Sequence, residues 1–246
     1  MKTLLTVPSV VLSVFVSFSA AAASYEVVEV TDGGTLMGKV TFSGDDPAPK
    51  VFSIAKDTDV CGSGTREVDY VRVSNDALND TIVYLDKVKS GKDFAADEAN
   101  AALDQKGCAF NPFLQVMHNG KELEARNSDP VSHNIHTYEI IGKAKKTVLN
   151  VSQPKQGSVI TKQISLKRGT HMKVECDQHD FMHGFVFVAK NPYYAMVAED
   201  GSYSIDGIPP GKYVVKAWHG TLGEKKATVE IAAGGSASAD FEYTPK

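Results

Sequence analysis

The chain has few features that would mark a nucleic-acid-binding, membrane-spanning or nucleotide-binding protein. Its formal net charge is −4 over 246 residues. No basic stripe or arginine cluster stands ready to neutralise phosphates, which argues against a nucleic-acid partner. After residue 23, no stretch approaches the ~20 apolar residues that a membrane span needs. There is no phosphate loop, dinucleotide fingerprint or nucleophile elbow, and Gly62-Ser63-Gly64 reads only as a flexible turn. No internal repeat is visible. Cysteine is scarce, with only Cys61, Cys108 and Cys176.

Aromatic and β-branched residues are plentiful, and Gly and Pro recur between short apolar runs. This is the composition of a globular β-rich protein long enough for two small domains. The first 23 residues read as a secretory signal. Lys2 supplies the positive end, Leu4 to Phe18 the apolar run, and Ala21-Ala22-Ala23 a small-residue cleavage site before Ser24. An uncleaved anchor is the alternative, but the run is short and ends in alanines. Removing this segment, whose one basic residue is Lys2, would make the chain more acidic by one charge. No cysteine at the junction invites a lipid. The expected location is the periplasm.

In an oxidising compartment, an odd cysteine count leaves one for another role. Cys176 lies in a segment rich in metal donors. Cys61 and Cys108 are then expected to be bridged, a link worth roughly 2–5 kcal/mol in a secreted domain. Two buried free thiols are the alternative.

Period-two alternation dominates. Met172, Val174 and Cys176 share one face, as do Leu123, Ala125 and Asn127 before the Asn127-Ser128-Asp129-Pro130 break. Asn119-Gly120, between Leu114–His118 and 122–126, predicts a hairpin. Only 93–105 reads as helical, through its alanines and Leu103.

The last 55 residues carry a turn and strand at Asp200-Gly201-Ser202-Tyr203-Ser204-Ile205. A second turn, Ile208-Pro209-Pro210-Gly211, leads into 213–218. This pattern resembles the carboxypeptidase regulatory-like (transthyretin-like) β-sandwich. That family's first two strands have candidates only far upstream, at 38–42 and 81–85. The reading is therefore a discontinuous sandwich, 25–103 plus 192–246, interrupted by an inserted domain. Three consecutive units are the alternative. The expected divisions are 1–23 signal, 24–105 N-terminal β region, 106–190 inserted domain and 191–246 C-terminal sandwich.

The chemistry concentrates in Cys176-Asp177-Gln178-His179-Asp180-Phe181-Met182. A thiolate, an imidazole and a thioether fall within seven residues at a strand end, a donor set suited to copper. Asn127 to His136 supplies a further histidine at a strand start. Zinc is disfavoured because its structural sites rarely use methionine. His118, His136, His171, His183 and His219 read as surface or hydrogen-bonded residues, with His136 and His183 as spare ligands. Trp218-His219 reads as packing.

These segments together resemble the cupredoxins, and the Cys-x2-His-x2-Met spacing is similar to the short ligand loop of amicyanin. The resemblance covers about 106–190. Residues 103–108, 127–130 and 191–195 also look like exported bacterial plastocyanin-like proteins, some described as methylamine-utilization proteins. The resemblance implies an all-β, Greek-key cupredoxin sandwich holding one type 1 copper ion. It makes His133, Cys176 and His179 ligands, Met182 the weak axial ligand, and Asn134 the residue tying the two ligand loops together. It also implies that His179 is the solvent-side ligand, with Phe181, Pro130 and Phe113 as an apolar rim for a transient redox partner, such as a cytochrome or dehydrogenase. The chain departs from the family at Pro112-Phe113, where relatives often carry Pro-His. It departs again at Asp180, where amicyanin-type loops have proline; a carboxylate there makes that edge more negative. The expected role is single-electron transfer rather than enzymatic turnover. The rivals are a copper storage, delivery or sensing module, and a structural sandwich with a vestigial site.

Overall fold

The computed structural model describes residues 25–95 and 100–245. The expected signal segment and its cleavage point lie outside these residues. Among the described residues no helix is long and apolar enough to cross a membrane. The architecture is all-β, with one short helix among the described residues, Thr58–Cys61, and many strands.

Two sheets enclose the first core. One runs in the order Phe110–Asn111, Ala101–Gln105, Glu122–Asn127, Val159–Gln163. The other runs Leu114–His118, His179–Ala189, His171–Cys176, His133–Ile141, Ala144–Gln153. Alternation decides which side chains point inward. Leu103, Leu123 and Ala125 of the first sheet meet Met117, Ile135, Met172, Val174 and Val186 of the second. Cys176 ends one inward-facing row, which places a thiol at the rim of a dry core.

Two sequence expectations change here. Leu114–His118 and Glu122–Asn127 do not form a hairpin. The first pairs in parallel with His179–Ala189, and the second with Ala101–Gln105 and Val159–Gln163. Asn119-Gly120 does reverse the chain, with Gly120 at φ +88°, but the reversal carries it from one sheet to the other. The expected helix over 93–105 also fails, because Ala101–Gln105 is a strand held on both sides. Its alanine-rich part at 96–99 lies outside the described residues. Ladder pairing on both edges overrides a local propensity worth tenths of a kcal/mol per residue.

The second core lies between two further sheets. Gly34–Phe42 is flanked by Ser202–Ile208 on one side, and on the other by Ser236–Ser238 and Phe241–Tyr243. Thr81–Leu85 lies between Tyr194–Met196 and Gly211–His219, and Gly223–Ile231 completes that sheet. Leu36, Val40, Val83, Leu85, Ile205, Val215 and Phe241 fill the space between. Gly201, at φ +80°, makes the turn before Ser202–Ile208. A Cβ there would sit 2.9 Å from the Val40 carbonyl oxygen, so conformation and space both call for glycine.

Lys50–Ile54 and Gly64–Val68 form an antiparallel hairpin around the short helix. The sequence reading placed this stretch and Ala101–Gln105 with the C-terminal strands. Instead Phe52, Ile54, Cys61, Ala101 and Leu103 all join the first core. The Cys61–Cys108 disulfide fastens the hairpin there, as the odd cysteine count led one to expect. The bridge spans 47 positions, so its loss should cost about 4 kcal/mol by loop-closure entropy. Denaturant unfolding of the Cys61→Ala/Cys108→Ala protein measures this; a loss below about 1 kcal/mol would show that the hairpin is held by packing alone.

A third apolar cluster, containing Ile82, Tyr84, Leu114, Phe185, Phe187 and Trp218, joins the two bodies. His171 stacks on Trp218 with ring centroids 4.4 Å apart. Burial, with Lys216 nearby and only partly offset by Glu224, pushes this imidazole down to about 4. The unfolded chain therefore takes up a proton between the ordinary histidine value of about 6.5 and pH 4 that the folded chain refuses. Stability from this group is complete above pH 6.5 and is lost as pH falls towards 4. His171→Asn should flatten that part of the curve of unfolding free energy against pH. An unchanged acid slope would exclude His171 as its source.

Candidate metal centre

The site forms where two strand ends meet. His133 opens the strand His133–Ile141, and Cys176 closes the neighbouring His171–Cys176. After Asp177-Gln178 the chain turns back at His179, which pairs with Cys176, while Glu175 pairs with His183. Asp180, Phe181 and Met182 therefore bulge from the ladder, which lets a strand redirect side chains that strict alternation would fix.

Three donor atoms converge. His133 Nδ1 and His179 Nδ1 are 3.1 Å apart, and Cys176 Sγ lies 4.0 Å from the first and 3.7 Å from the second. All three side chains are buried. These spacings suit donors that each reach about 2.0–2.3 Å to one ion. Two imidazole lone pairs cannot face each other at this distance without a proton or a metal between them. Among the described residues a second grouping, Cys108, Asp129 and His133, also brings its donor atoms within 4.8 Å of one another. Cys108 is in the disulfide, so it has no thiolate to offer.

The far ring nitrogens fix the tautomers. His133 Nε2 lies 2.9 Å from Asp129 Oδ2, and His179 Nε2 lies 2.9 Å from Asp57 Oδ2. A proton on each Nε2 leaves the Nδ1 lone pair for the centre. The backbone N–H groups of Gly107 and Cys108 also donate to Asp129. Burial works against ionisation of Asp129, but these donors and His133 hold its carboxyl below the usual value. Burial likewise opposes charge on His133, yet Cys176 and Asp129 hold its imidazole above the ordinary value. For Cys176, burial raises the thiol, but hydrogen bonds to His133 and His179 and the backbone N–H groups of Asn134 and Gln178 bring it down to about 6. The pocket is therefore built to hold a thiolate at neutral pH.

Asn134 links the two ligand segments. Its Oδ1 accepts from the Asp177 N–H at 2.6 Å, and its Nδ2 donates to Asp177 Oδ2 at 3.0 Å. Its own N–H points to Cys176 Sγ at 3.5 Å. Met182 is buried, 1% exposed, within the bulge. The spare candidates are engaged elsewhere: His136 with Asp177 and Thr147, and His183 with the Tyr70 hydroxyl.

The expected rim is not where the resemblance put it. His179 is only 2% exposed because Asp57 and its segment cover the edge that should face solvent. Phe181 is 5% exposed and lies beneath the Arg66 guanidinium. Phe113 packs on Phe185 and Tyr70. Of the three rim residues only Pro130 is exposed. Sequence reasoning also missed the carboxylate partners. Asp129 stood in a segment already singled out, but Asp57 is 122 positions from its histidine and carries no local signal.

No protein-family model matches this chain, and no curated protein matches it. Solved structures with similar parts include cupredoxins and a copper enzyme. Amicyanin from Paracoccus versutus is 16% identical over 45% of this chain and 99% of its own, with a TM-score of 0.31. A purple cupredoxin from Nitrosopumilus maritimus is 18% identical over 36% of this chain and 99% of its own, at 0.31. A Cu-containing nitrite reductase from Thermus scotoductus SA-01 is 15% identical over 37% of this chain, at 0.30, and the match spans only 22% of that enzyme.

Proposed function

We propose that this chain is an exported, periplasmic single-electron carrier built on one type 1 copper centre, and that it is not itself an enzyme. The observation that carries the reading is the buried triangle of Cys176 Sγ, His133 Nδ1 and His179 Nδ1, with edges of 3.1, 3.7 and 4.0 Å. Cys176, His133 and His179 would hold the copper, with the Met182 thioether as a further donor. A copper ion bound there supplies a Cu(I)/Cu(II) couple that takes up and gives up one electron. The chain's own contribution is rigidity. Asp129 and Asp57 fix the two imidazoles, Asn134 locks the ligand segments together, and the surrounding core excludes water. Ligands that cannot move between oxidation states keep the rearrangement on electron transfer small. A transient redox protein, such as a cytochrome or dehydrogenase, is the proposed partner, since such encounters need only a small interface.

The burial of His179 favours one rival, copper storage or delivery without electron transfer, because it closes the edge from which an electron would be expected to leave. Optical and electron-spin-resonance spectra of the oxidised, copper-loaded protein, with voltammetry, separate the two. The carrier should show an intense thiolate-to-copper band in the visible and a reversible one-electron wave. A colourless protein that binds Cu(I) and passes it to a chelator without such a wave would replace the carrier reading with storage or delivery.

A further inference from the structure

Asp57 stands immediately before the helix Thr58–Cys61, in the position where an aspartate ordinarily caps the first turn with its own carboxylate. Here it makes no such bond. The carboxylate instead accepts from His179 Nε2 at 2.9 Å. The residue sits in the left-handed region, φ 52° and ψ 39°, a conformation that aspartate tolerates better than most residues. A favourable local bond has been given up in favour of a distant one.

The rest of the segment grips the same short stretch of ligand strand. Lys56 Nζ donates to Gln178 Oε1 at 3.1 Å, and the Arg66 guanidinium lies 5.2 Å from the centre of the Phe181 ring. Residues 178, 179 and 181 are thus each held by a residue between 56 and 66. The disulfide completes the arrangement. The Cys61 N–H donates to the Asp57 carbonyl at 2.8 Å, and the Cys108 N–H donates to Asp129 Oδ2 at 2.8 Å. One covalent bridge thereby joins the two segments whose carboxylates fix the two histidines.

We propose that Asp57 is a positioning residue for the metal centre, and that the segment 50–68 is a tethered cap that closes the centre to metal exchange. The proposal rests on reading the pocket as a metal centre. Asp57 holds His179 by Nε2, turns Nδ1 toward Cys176 and His133, and seals the edge above them. Its negative charge, placed behind a ligand, strengthens donation from that imidazole and favours the more highly charged state of a bound metal. Removing the charge should raise the reduction potential as well as loosen the metal.

The test uses the full chain with its disulfide intact, loaded with Cu(II), as wild type, Asp57→Asn, Asp57→Glu and Asp59→Asn. Asp59 is an exposed carboxylate on the same helix and controls for charge alone. Asp57→Asn should lose copper to excess chelator faster and bind it roughly 10–100-fold more weakly, with the potential shifted upward. Asp57→Glu, which keeps the carboxylate, should recover part of both, and it gives a second reading should the amide variant fold poorly. Asp59→Asn should match wild type. Equal exchange rates and potentials in wild type and Asp57→Asn would overturn the proposal while leaving the metal centre in place. Equal shifts in both amide variants would overturn it in favour of a general charge effect. A wild-type chain that takes up no metal would overturn the metal-centre reading and this proposal with it.

Discussion

Cys176→Ser is expected to abolish the visible band of the copper-loaded protein completely and to leave its fold in place. Cys176 is the free cysteine, since Cys61 and Cys108 are bridged, so no second thiolate can take over. Its thiol is held down to about 6 by the surrounding hydrogen bonds in spite of burial, so the wild-type site offers a thiolate at neutral pH. Serine places a hydroxyl of nearly the same shape there, but it does not ionise in this range and gives no thiolate-to-copper transition. Affinity should fall by more than the roughly 10–100-fold that loss of an outer partner costs. The structural cost should be about 1–2 kcal/mol, because the Asn134 N–H can donate to the new oxygen. The measurement is the absorption spectrum beside a circular dichroism melt. A blue or green mutant would remove Cys176 from the role assigned to it, and one that no longer folds would show that the thiol also sustains the fold.

The residues of the candidate centre were legible because their signals are local. The two-residue spacings from Cys176 to His179 and from His179 to Met182, and the parity of Met172, Val174 and Cys176, depend only on strand geometry and one turn. The readings that failed depended on distant partners. Asn119-Gly120 announces a reversal of the chain, but not whether the next strand joins the same sheet. The alanines near 95–102 suggest a helix until Ala101–Gln105 finds ladders on both sides. The hairpin of Lys50–Ile54 and Gly64–Val68 alternates like any other strand pair. Nothing in it says that its helix turn will cover His179, so the rim inferred from resemblance was misplaced. The disulfide was legible by elimination, whereas its consequence, a cap brought over the ligand edge, was not.

The fragment 192–246 is expected not to fold alone, although it carries the most recognisable β-pattern in the chain. Its strands are flanking strands around two that it lacks. Gly34–Phe42 separates Ser202–Ile208 from Phe241–Tyr243, and Thr81–Leu85 separates Tyr194–Met196 from Gly211–His219. Without them, Gly211–His219 and Ser202–Ile208 would present long unpaired apolar edges, an arrangement prone to aggregation. The missing part also removes Leu36, Val40, Phe42, Leu78, Val83 and Leu85 from the core, each at most 3% exposed. At about 1.5–3 kcal/mol for each buried side chain, their loss is comparable to the ~5–15 kcal/mol by which a whole domain is stable. A 55-residue remnant has little core to spare. The fragment should therefore show no cooperative melting transition and should aggregate or remain unfolded in solution. A sharp transition with dispersed amide resonances would mean that the C-terminal strands can close a core of their own, and that the two upstream strands are additions to it.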